Sequence, residues 1–388
     1  MNRREFLAVA AAAAAPIADS EREGRLEKAR RLMREQNLAA VVFEPGSSLF
    51  YFTGVRWGRS ERLFAFVLPA KGEAAYVVPA FEESRAREII RFANDVRVWQ
   101  EDDSPYAQVM RVLRDRGVAS GRVGVEEQVR FFVSDGIRKA GPALELADAT
   151  AVTAGCRMIK SAAEIELLKH ANEITLEAIR VASTHLTEGM TPADLRGHLS
   201  AAYRAQGVSG DGLIGFGAAT ALPHGSVRPQ KLLEGDMVLV DSGCQVEGYT
   251  SDITRTWVFG KPTARQRQVW ELERKAQDAA LKAAQVGAAC ESVDAAARKV
   301  ITEAGFGPGY RLPGLPHRTG HGIGLDGHEW TNFVRGNKTA VAPGMCFSDE
   351  PMIAIPGEFG IRLEDCLYVA GDGPHMFTPQ SESIDKPF

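Results

Sequence analysis

Along residues 22–150, the spacing of apolar positions is typical of helices in some stretches and of strands in others. A charged stretch with spaced apolar positions predicts a helix over 22–37. Short apolar runs separated by glycine-rich breaks predict strands at 39–43, 49–52, 63–68 and 74–78, and a helix follows at 82–92. Helices that alternate with strands in this way predict an α/β domain over residues 22–150.

The pattern changes in the second half of the chain, which we treat as one domain over residues 151–388. Ser161 and Glu164 form a capping box ahead of a long amphipathic helix, and Thr191-Pro192 begins another. Residues 212–259 and 310–370 are β-rich, and helical stretches lie between them at 263–286 and 291–304. The expected fold of this domain is α+β.

The first twenty residues read as a targeting segment. Arg3-Arg4 precedes Phe6-Leu7 and an alanine-rich run, which resembles a twin-arginine export signal rather than a terminus that carries two arginines by chance. The run is shorter than the ~20 apolar residues that span a bilayer, so we expect no stable membrane insertion. The expectation is export, with a periplasmic location, and otherwise a cytoplasmic one.

Composition excludes several classes of protein. The 388 residues carry 46 Lys and Arg against 50 Asp and Glu, a net charge of −4, and this balance argues against a nucleic-acid binder. Five scattered cysteines are too few for a disulfide scaffold or a zinc ribbon.

Two predicted hairpins each carry a pair of acids. If Glu247-Gly248 is a turn, Asp241 lies opposite Thr254, and Asp252 projects from the same face as Asp241. Glu350 and Glu364 are related in the same way around Pro356-Gly357. One such pair could be two ordinary strand-end acids, but four buried carboxylates need cations to neutralise them.

His321 lies in a glycine-rich segment and could add a nitrogen ligand, since four of the eight histidines fall between residues 224 and 328. Four carboxylates and one imidazole favour Mn²⁺, Co²⁺ or Fe²⁺, and Zn²⁺ is also compatible. The number of acids suits two divalent ions ~3.5–4 Å apart.

These residues and the strings around them, "VDSG…GYTSDITRT", "GHGIGLDGHE" and "DEP…GIRLEDC", resemble the pita-bread metallopeptidases of family M24. "FYFTG" and "RMIKSAAEIELLKHA" resemble the creatinase-type N-terminal domain and joining helix of its Xaa-Pro branch. The resemblance implies an α/β creatinase-like domain followed by an α+β pita-bread catalytic domain. It also implies an Xaa-Pro aminopeptidase or dipeptidase (prolidase), often a homodimer in which loop 55–60 could close the partner's site.

The resemblance also implies a role for each candidate residue. Asp241, Asp252, His321, Glu350 and Glu364 would hold two metal ions, with a bridging water or hydroxide as nucleophile. Glu350 would also move the proton. His224 and His328 would assist catalysis, His317 would lie near the proline side of the substrate, and Arg362 would orient a ligand carboxylate.

The chain departs from the family pattern after two of these motifs. Met352 and Ala354 replace the usual Gly and Tyr after Glu350-Pro351, and Trp330-Thr331 stands where a proline is common. Met352 and Ala354 motivate an alternative, a creatinase-like amidohydrolase that acts on a small non-peptide amide. A non-enzymatic binding protein would be expected to have lost a ligand, and all five are present.

Overall fold

A computed structural model describes residues 15–388 and divides them into two units, residues 17–157 and 158–388. The Arg3-Arg4 motif lies outside the described residues. The first helix, α1, begins at Asp19, inside the segment assigned to the signal. No helix among residues 15–388 is both long enough and apolar enough to cross a membrane.

The N-terminal unit is built on one mixed sheet with the strand order β4-β3-β2-β1-β5-β6. Strands β1, β2 and β3 pair antiparallel, and the other neighbours are parallel. The apolar faces of the sheet and of α4 and α5 pack into one buried core. The strands are β1 (Ala40–Phe43), β2 (Ala65–Pro69), β3 (Ala75–Pro79), β4 (Asp95–Trp99), β5 (Gly121–Val125) and β6 (Leu144–Asp148). The helices are α1 (Asp19–Glu35), α2 (Ser47–Thr53), α3 (Glu83–Ile89, after a 3₁₀ turn at Ala80–Glu82), α4 (Pro105–Asp115), α5 (Phe131–Ala140) and α6 (Thr150–Arg157).

The strand predicted at 49–52 is wrong, because these residues form the helix α2. A short apolar run bounded by turns fits either element, and here the contacts that decide are distant in sequence. The side chains of Arg22 and Arg25 on α1 donate hydrogen bonds to the carbonyls of Phe50 and Tyr51, at the end of α2. Helix α6, which the sequence analysis placed in the catalytic domain, falls in the N-terminal unit.

The second unit contains the predicted long helices and a larger set of strands. Ser161, Thr191 and Thr263 each complete a capping box at a helix start. The helices are α7 (Ala162–Ser183), α8 (Pro192–Ala205), α9 (Ala264–Ala283) and α10 (Cys290–Glu303), with a 3₁₀ turn at Gly217–Ala221. The strands are β7 (Gly210–Phe216), β8 (Met237–Val246), β9 (Tyr249–Thr250), β10 (Ile253–Val258), β11 (Gly320–Gly322), β12 (Glu329–Phe333), β13 (Cys346–Asp349), β14 (Met352–Ile355), β15 (Phe359–Arg362), β16 (Asp365–Ala370) and β17 (Gly373–Met376).

Three groups of strands carry the candidate ligands. Strands β10, β8 and β7 form one sheet, with β9 paired to β8, and β12-β11-β13-β16-β17 form another. Strands β14 and β15 make a separate hairpin. Helices α7 and α8 pack on the first sheet, and α9 and α10 pack in the core beside the others.

All five cysteines are free and buried. Burial raises the pKa of the thiols of Cys244, Cys290, Cys346 and Cys366, to about 11 for Cys290 and about 12 for Cys346.

A substitution of Gly320 on β11 can test how closely this strand packs against β13. A Cβ on Gly320 would lie 2.1 Å from the backbone oxygen of Ser348 on β13, and backbone cannot rotate away. We expect Gly320→Ala to lower the free energy of unfolding by about 1–3 kcal/mol, the usual cost of overpacking, measured by urea unfolding. Gly327→Ala is the control, since a Cβ there meets no atom within 4 Å, and equal stability of the two variants would contradict the prediction.

Candidate metal centre

The first hairpin holds Asp241 and Asp252 in the predicted register. Asp241 on β8 pairs with Thr254 on β10, which confirms the predicted pairing. The turn is Glu247-Gly248, and both residues have positive φ, 49° and 91°, as a two-residue turn of this kind requires. Asp252 lies just before β10, two residues from Thr254, so both acids belong to the same face of the hairpin.

The second hairpin brings Glu350 and Glu364 opposite each other. The pairs Asp349–Asp365 and Met352–Arg362 flank them and share one register, which confirms the turn predicted near Gly357. The backbones of Thr254 and Glu364 then exchange two hydrogen bonds, of 3.2 and 3.1 Å. This bridge fixes the position of one acidic hairpin against the other.

His321 lies on the short strand β11 and is almost fully buried. Its backbone N–H donates to Ser348 Oγ at 3.0 Å, and its Nδ1 donates to the carbonyl of Gly322 at 3.1 Å. Because a carbonyl can only accept, the proton lies on Nδ1 and the Nε2 lone pair is left for a ligand. Nε2 lies 3.2 Å from Glu350 Oε1 and 3.8 Å from Asp252 Oδ2.

These side chains fit a divalent metal ion. Ligand atoms of Asp252, His321 and Glu364 all lie within 4.8 Å of one another. Burial, followed by the charges of neighbouring acids, raises the pKa of Asp252 and of Glu364 well above their usual values. Burial lowers the pKa of His321 to about 3, so its imidazole is neutral. A bound cation would stabilise the ionised acids and use the neutral nitrogen.

Asp241 joins this group through Arg362. An Arg362 Nη2 hydrogen bond reaches Asp241 Oδ2, and Nε donates to Thr254 Oγ1 at 3.1 Å. The Thr254 hydroxyl in turn donates to Glu364 Oε2 at 2.6 Å. Arg362 thus binds the Asp241 carboxylate directly and is linked to the Glu364 carboxylate through the Thr254 hydroxyl.

Glu350, the fourth acid of the candidate site, also has a raised pKa. Burial raises its pKa to about 7, although the nearby Arg362 guanidinium acts in the opposite direction. Without a bound cation this carboxyl group therefore ionises less readily than an exposed glutamate.

The hydrogen bonds of two further histidines near the acids indicate which ring nitrogen of each carries the proton. His317 Nδ1 donates to the carbonyl of Arg318 at 2.7 Å, so its buried Nε2 is an acceptor, and it has no partner within the described residues. Burial lowers the pKa of His317 to about 4. Arg318 Nη2 donates to His328 Nδ1 at 3.1 Å, which leaves an Nε2–H donor on His328. The rings of His328 and His321 are 4.0 Å apart.

His224 is the predicted site residue with the least direct contact. It is exposed in the loop after the 3₁₀ turn, where Arg362 Nη1 holds the preceding Pro223 carbonyl at 3.2 Å. It is close enough for its charge to lower the pKa of both His317 and His328.

Thr254 and Arg318 contact the candidate site residues but were not among those predicted from the sequence. Thr254 could have been found, since the predicted register already placed it opposite Asp241 on the ligand face. Arg318 offered no comparable signal, because its contact with His328 depends on how two loops fold together.

The departures after Glu350-Pro351 are buried. Met352 and Ala354 are both fully inaccessible in the core, where the Met352 side chain packs beside Gly360. Ala354 pairs with Gly314 through two backbone hydrogen bonds of 3.0 and 3.1 Å.

A neutral imidazole among buried acids, held on paired hairpins, is the donor set of a metal-dependent hydrolase. Residues 166–370 match metallopeptidase family M24, and residues 25–159 match the creatinase/prolidase N-terminal domain. The chain therefore belongs to metallopeptidase family M24 and combines a creatinase-type N-terminal domain with a pita-bread catalytic domain.

Relatives of known name or structure agree with this assignment. The probable dipeptidase PepE of Mycobacterium tuberculosis is 37% identical over 354 residues, which cover 90% of this chain and 92% of that protein. The crystal structure of dipeptidase PepE from Mycobacterium ulcerans is 33% identical with a TM-score of 0.86, over 95% of this chain and 98% of that one. A prolidase from Thermococcus sibiricus is 29% identical with a TM-score of 0.84, over 92% and 96%.

The raised carboxyl pKa values predict how metal stabilises the protein at different pH. Glu350 stabilises the metal-free fold fully below about pH 4.5, and this contribution is lost as the pH rises through about 7. Asp252 and Glu364 act in the same direction. We expect the Tm difference between Mn²⁺-loaded and metal-free protein to grow from about pH 6 to about pH 8, measured by calorimetry.

Two variants separate this effect from general surface charge. In the metal-free protein, Glu350→Gln should flatten the pH dependence of Tm, because it removes one of the buried titrating groups. Glu358→Gln changes an exposed acid on the turn of the same hairpin and should leave it unchanged. A Tm difference that is constant over this pH range would contradict the prediction.

Proposed function

We propose that this hydrolase is a dinuclear exopeptidase that cleaves the Xaa-Pro bond of dipeptides. The observation that carries the proposal is the convergence of Asp252, His321 and Glu364 within 4.8 Å, with Glu350 beside His321. The names dipeptidase and prolidase among the relatives support the dipeptide as substrate. Asp241 and Glu350 complete the five ligands, and the oxygen-rich set favours Mn²⁺.

Two such ions, when bound, would lower the pKa of a water molecule and polarise the scissile carbonyl. Glu350 would take a proton from the attacking water and pass it to the proline nitrogen as the C–N bond breaks. His328 carries an Nε2–H that can donate to the oxygen of the tetrahedral intermediate.

The remaining residues bind and orient. His317 lies on the proline side of the substrate, and its low pKa keeps it neutral. His224 contacts the substrate near the scissile bond from its exposed loop. Arg362 holds Asp241 in the orientation that a ligand needs.

The test is hydrolysis of Ala-Pro by the Mn²⁺-loaded protein, beside Ala-Ala, Ala-Pro-Pro and a chelator-treated sample. We expect chelator-sensitive release of alanine from Ala-Pro, with the tripeptide cleaved more slowly. Glu350→Gln should lower kcat by about 10²–10⁴-fold, whereas Glu358→Gln should keep wild-type kinetics. Equal rates on Ala-Pro and Ala-Ala, or hydrolysis of neither by metal-loaded protein, would contradict the proposal.

We also propose that residues 1–20 direct twin-arginine export, on the strength of Arg3-Arg4, Phe6-Leu7 and the alanine-rich run. Residues 1–25 fused to a reporter that is active only after twin-arginine export should give signal. The same fusion with both arginines changed to lysine is the control. A silent wild-type fusion would favour a cytoplasmic enzyme.

A homodimer is the proposed assembly, measured by light scattering of the purified chain.

A further inference from the structure

The segment between α10 and β11 carries site residues, although it has no regular secondary structure. Residues 304–319 contain neither helix nor strand, yet they carry His317 and lead directly into His321. A segment of this kind must be positioned by contacts with other elements. Its pairing with Ala354 on β14 fixes Gly314, and two buried side chains on α10 fix the rest.

Arg298 on α10 binds the backbone of this segment at three places. Its Nη1 donates to the carbonyls of Gly309 at 2.7 Å and Leu315 at 3.1 Å, and its Nη2 donates to the carbonyl of His317. The guanidinium also lies over the ring of Tyr310, 4.4 Å from its centre. The planar fork of an arginine can reach several carbonyls at once, which an ammonium group cannot do.

Asp294, one turn earlier on α10, binds the other end of the segment. Its Oδ1 accepts from the Thr319 hydroxyl at 2.8 Å and from the Thr319 N–H at 3.2 Å. Its Oδ2 accepts from Arg298 Nε at 2.8 Å. Both side chains are buried, with 2% and 10% of their surface exposed, so each charge depends on the other.

Thr319 connects Asp294 to the proposed metal ligands Glu350 and His321. Its carbonyl accepts the backbone N–H of Glu350 at 2.8 Å, and His321 follows two residues later. A shift of Thr319 would therefore move Glu350 and His321, two of the proposed metal ligands. A shift of the His317 carbonyl would instead move His317, which holds no metal in the proposed site.

We propose that Asp294 and Arg298 are a positioning pair with two separable effects, and this inference rests on the proposed function. Arg298 sets the place of His317 and so governs substrate binding. Asp294, through Thr319, sets the place of His321 and Glu350 and so governs metal binding. Neither residue touches the substrate or the ions.

Four variants separate these effects. Arg298→Lys, which keeps the charge beside Asp294 and loses the planar fork, should raise KM for Ala-Pro about tenfold and change kcat and the Mn²⁺ Kd by less than about twofold. Thr319→Val, which removes one hydroxyl without changing shape, should weaken the Mn²⁺ Kd about tenfold, whereas Thr319→Ser should restore it. Asp294→Asn should show both changes. Metal affinity is measured by calorimetry on the full chain, without substrate.

The matched control is Glu303→Gln, which breaks the exposed Lys299–Glu303 ion pair on the same helix and should match the wild type in every readout. Arg298→Gln also removes the charge beside Asp294, so the folded variant should change both KM and the Mn²⁺ Kd. Folded variants whose KM and Mn²⁺ Kd are both unchanged would overturn the proposal and leave the pair a purely structural one.

Failure of the proposed function would look different. If wild-type protein cleaves no Xaa-Pro dipeptide, the substrate is wrong, but the comparison of Thr319→Val with Thr319→Ser still decides the metal effect. Equal Mn²⁺ affinity in those two variants would overturn the inference even if the wild type is an active dipeptidase.

Discussion

Repulsion between buried carboxylates is the constraint on which the catalytic unit depends. Asp252, Glu350 and Glu364 all have raised pKa values, because each is removed from water and faces other acids. Arg362 supplies one compensating positive charge and a set of hydrogen bonds. The remaining excess of negative charge is what makes the space a place for divalent cations and makes metal, pH and stability interdependent.

Backbone pairing between strands brings these acids together. The bridge between Thr254 and Glu364 joins two hairpins from different sheets, and the Thr254 hydroxyl continues the same link to the carboxylate. On the far side, the fully buried Arg255 donates to the Glu364 carbonyl at 2.9 Å and to Asp365 at 2.6 Å. Glu364 is therefore held by hydrogen bonds to its side chain on one face and to its backbone on the other.

The sequence predicts those features that are local. The turns at Glu247-Gly248 and near Gly357 determine the register of each hairpin, so the pairing of Asp241 with Thr254 follows from turn chemistry alone. The α2 helix was missed because its ends are held by arginines on α1. Arg318 and the α10 pair were missed for the same reason, since their partners lie in loops whose course no local pattern encodes.

The buried thiols have a consequence for the environments in which the enzyme can operate. None of the five cysteines is bonded to another, and burial disfavours the reactive thiolate at four of them. The covalent structure is then the same whether the surroundings are oxidising or reducing. A chain built in this way needs no disulfide catalyst to mature.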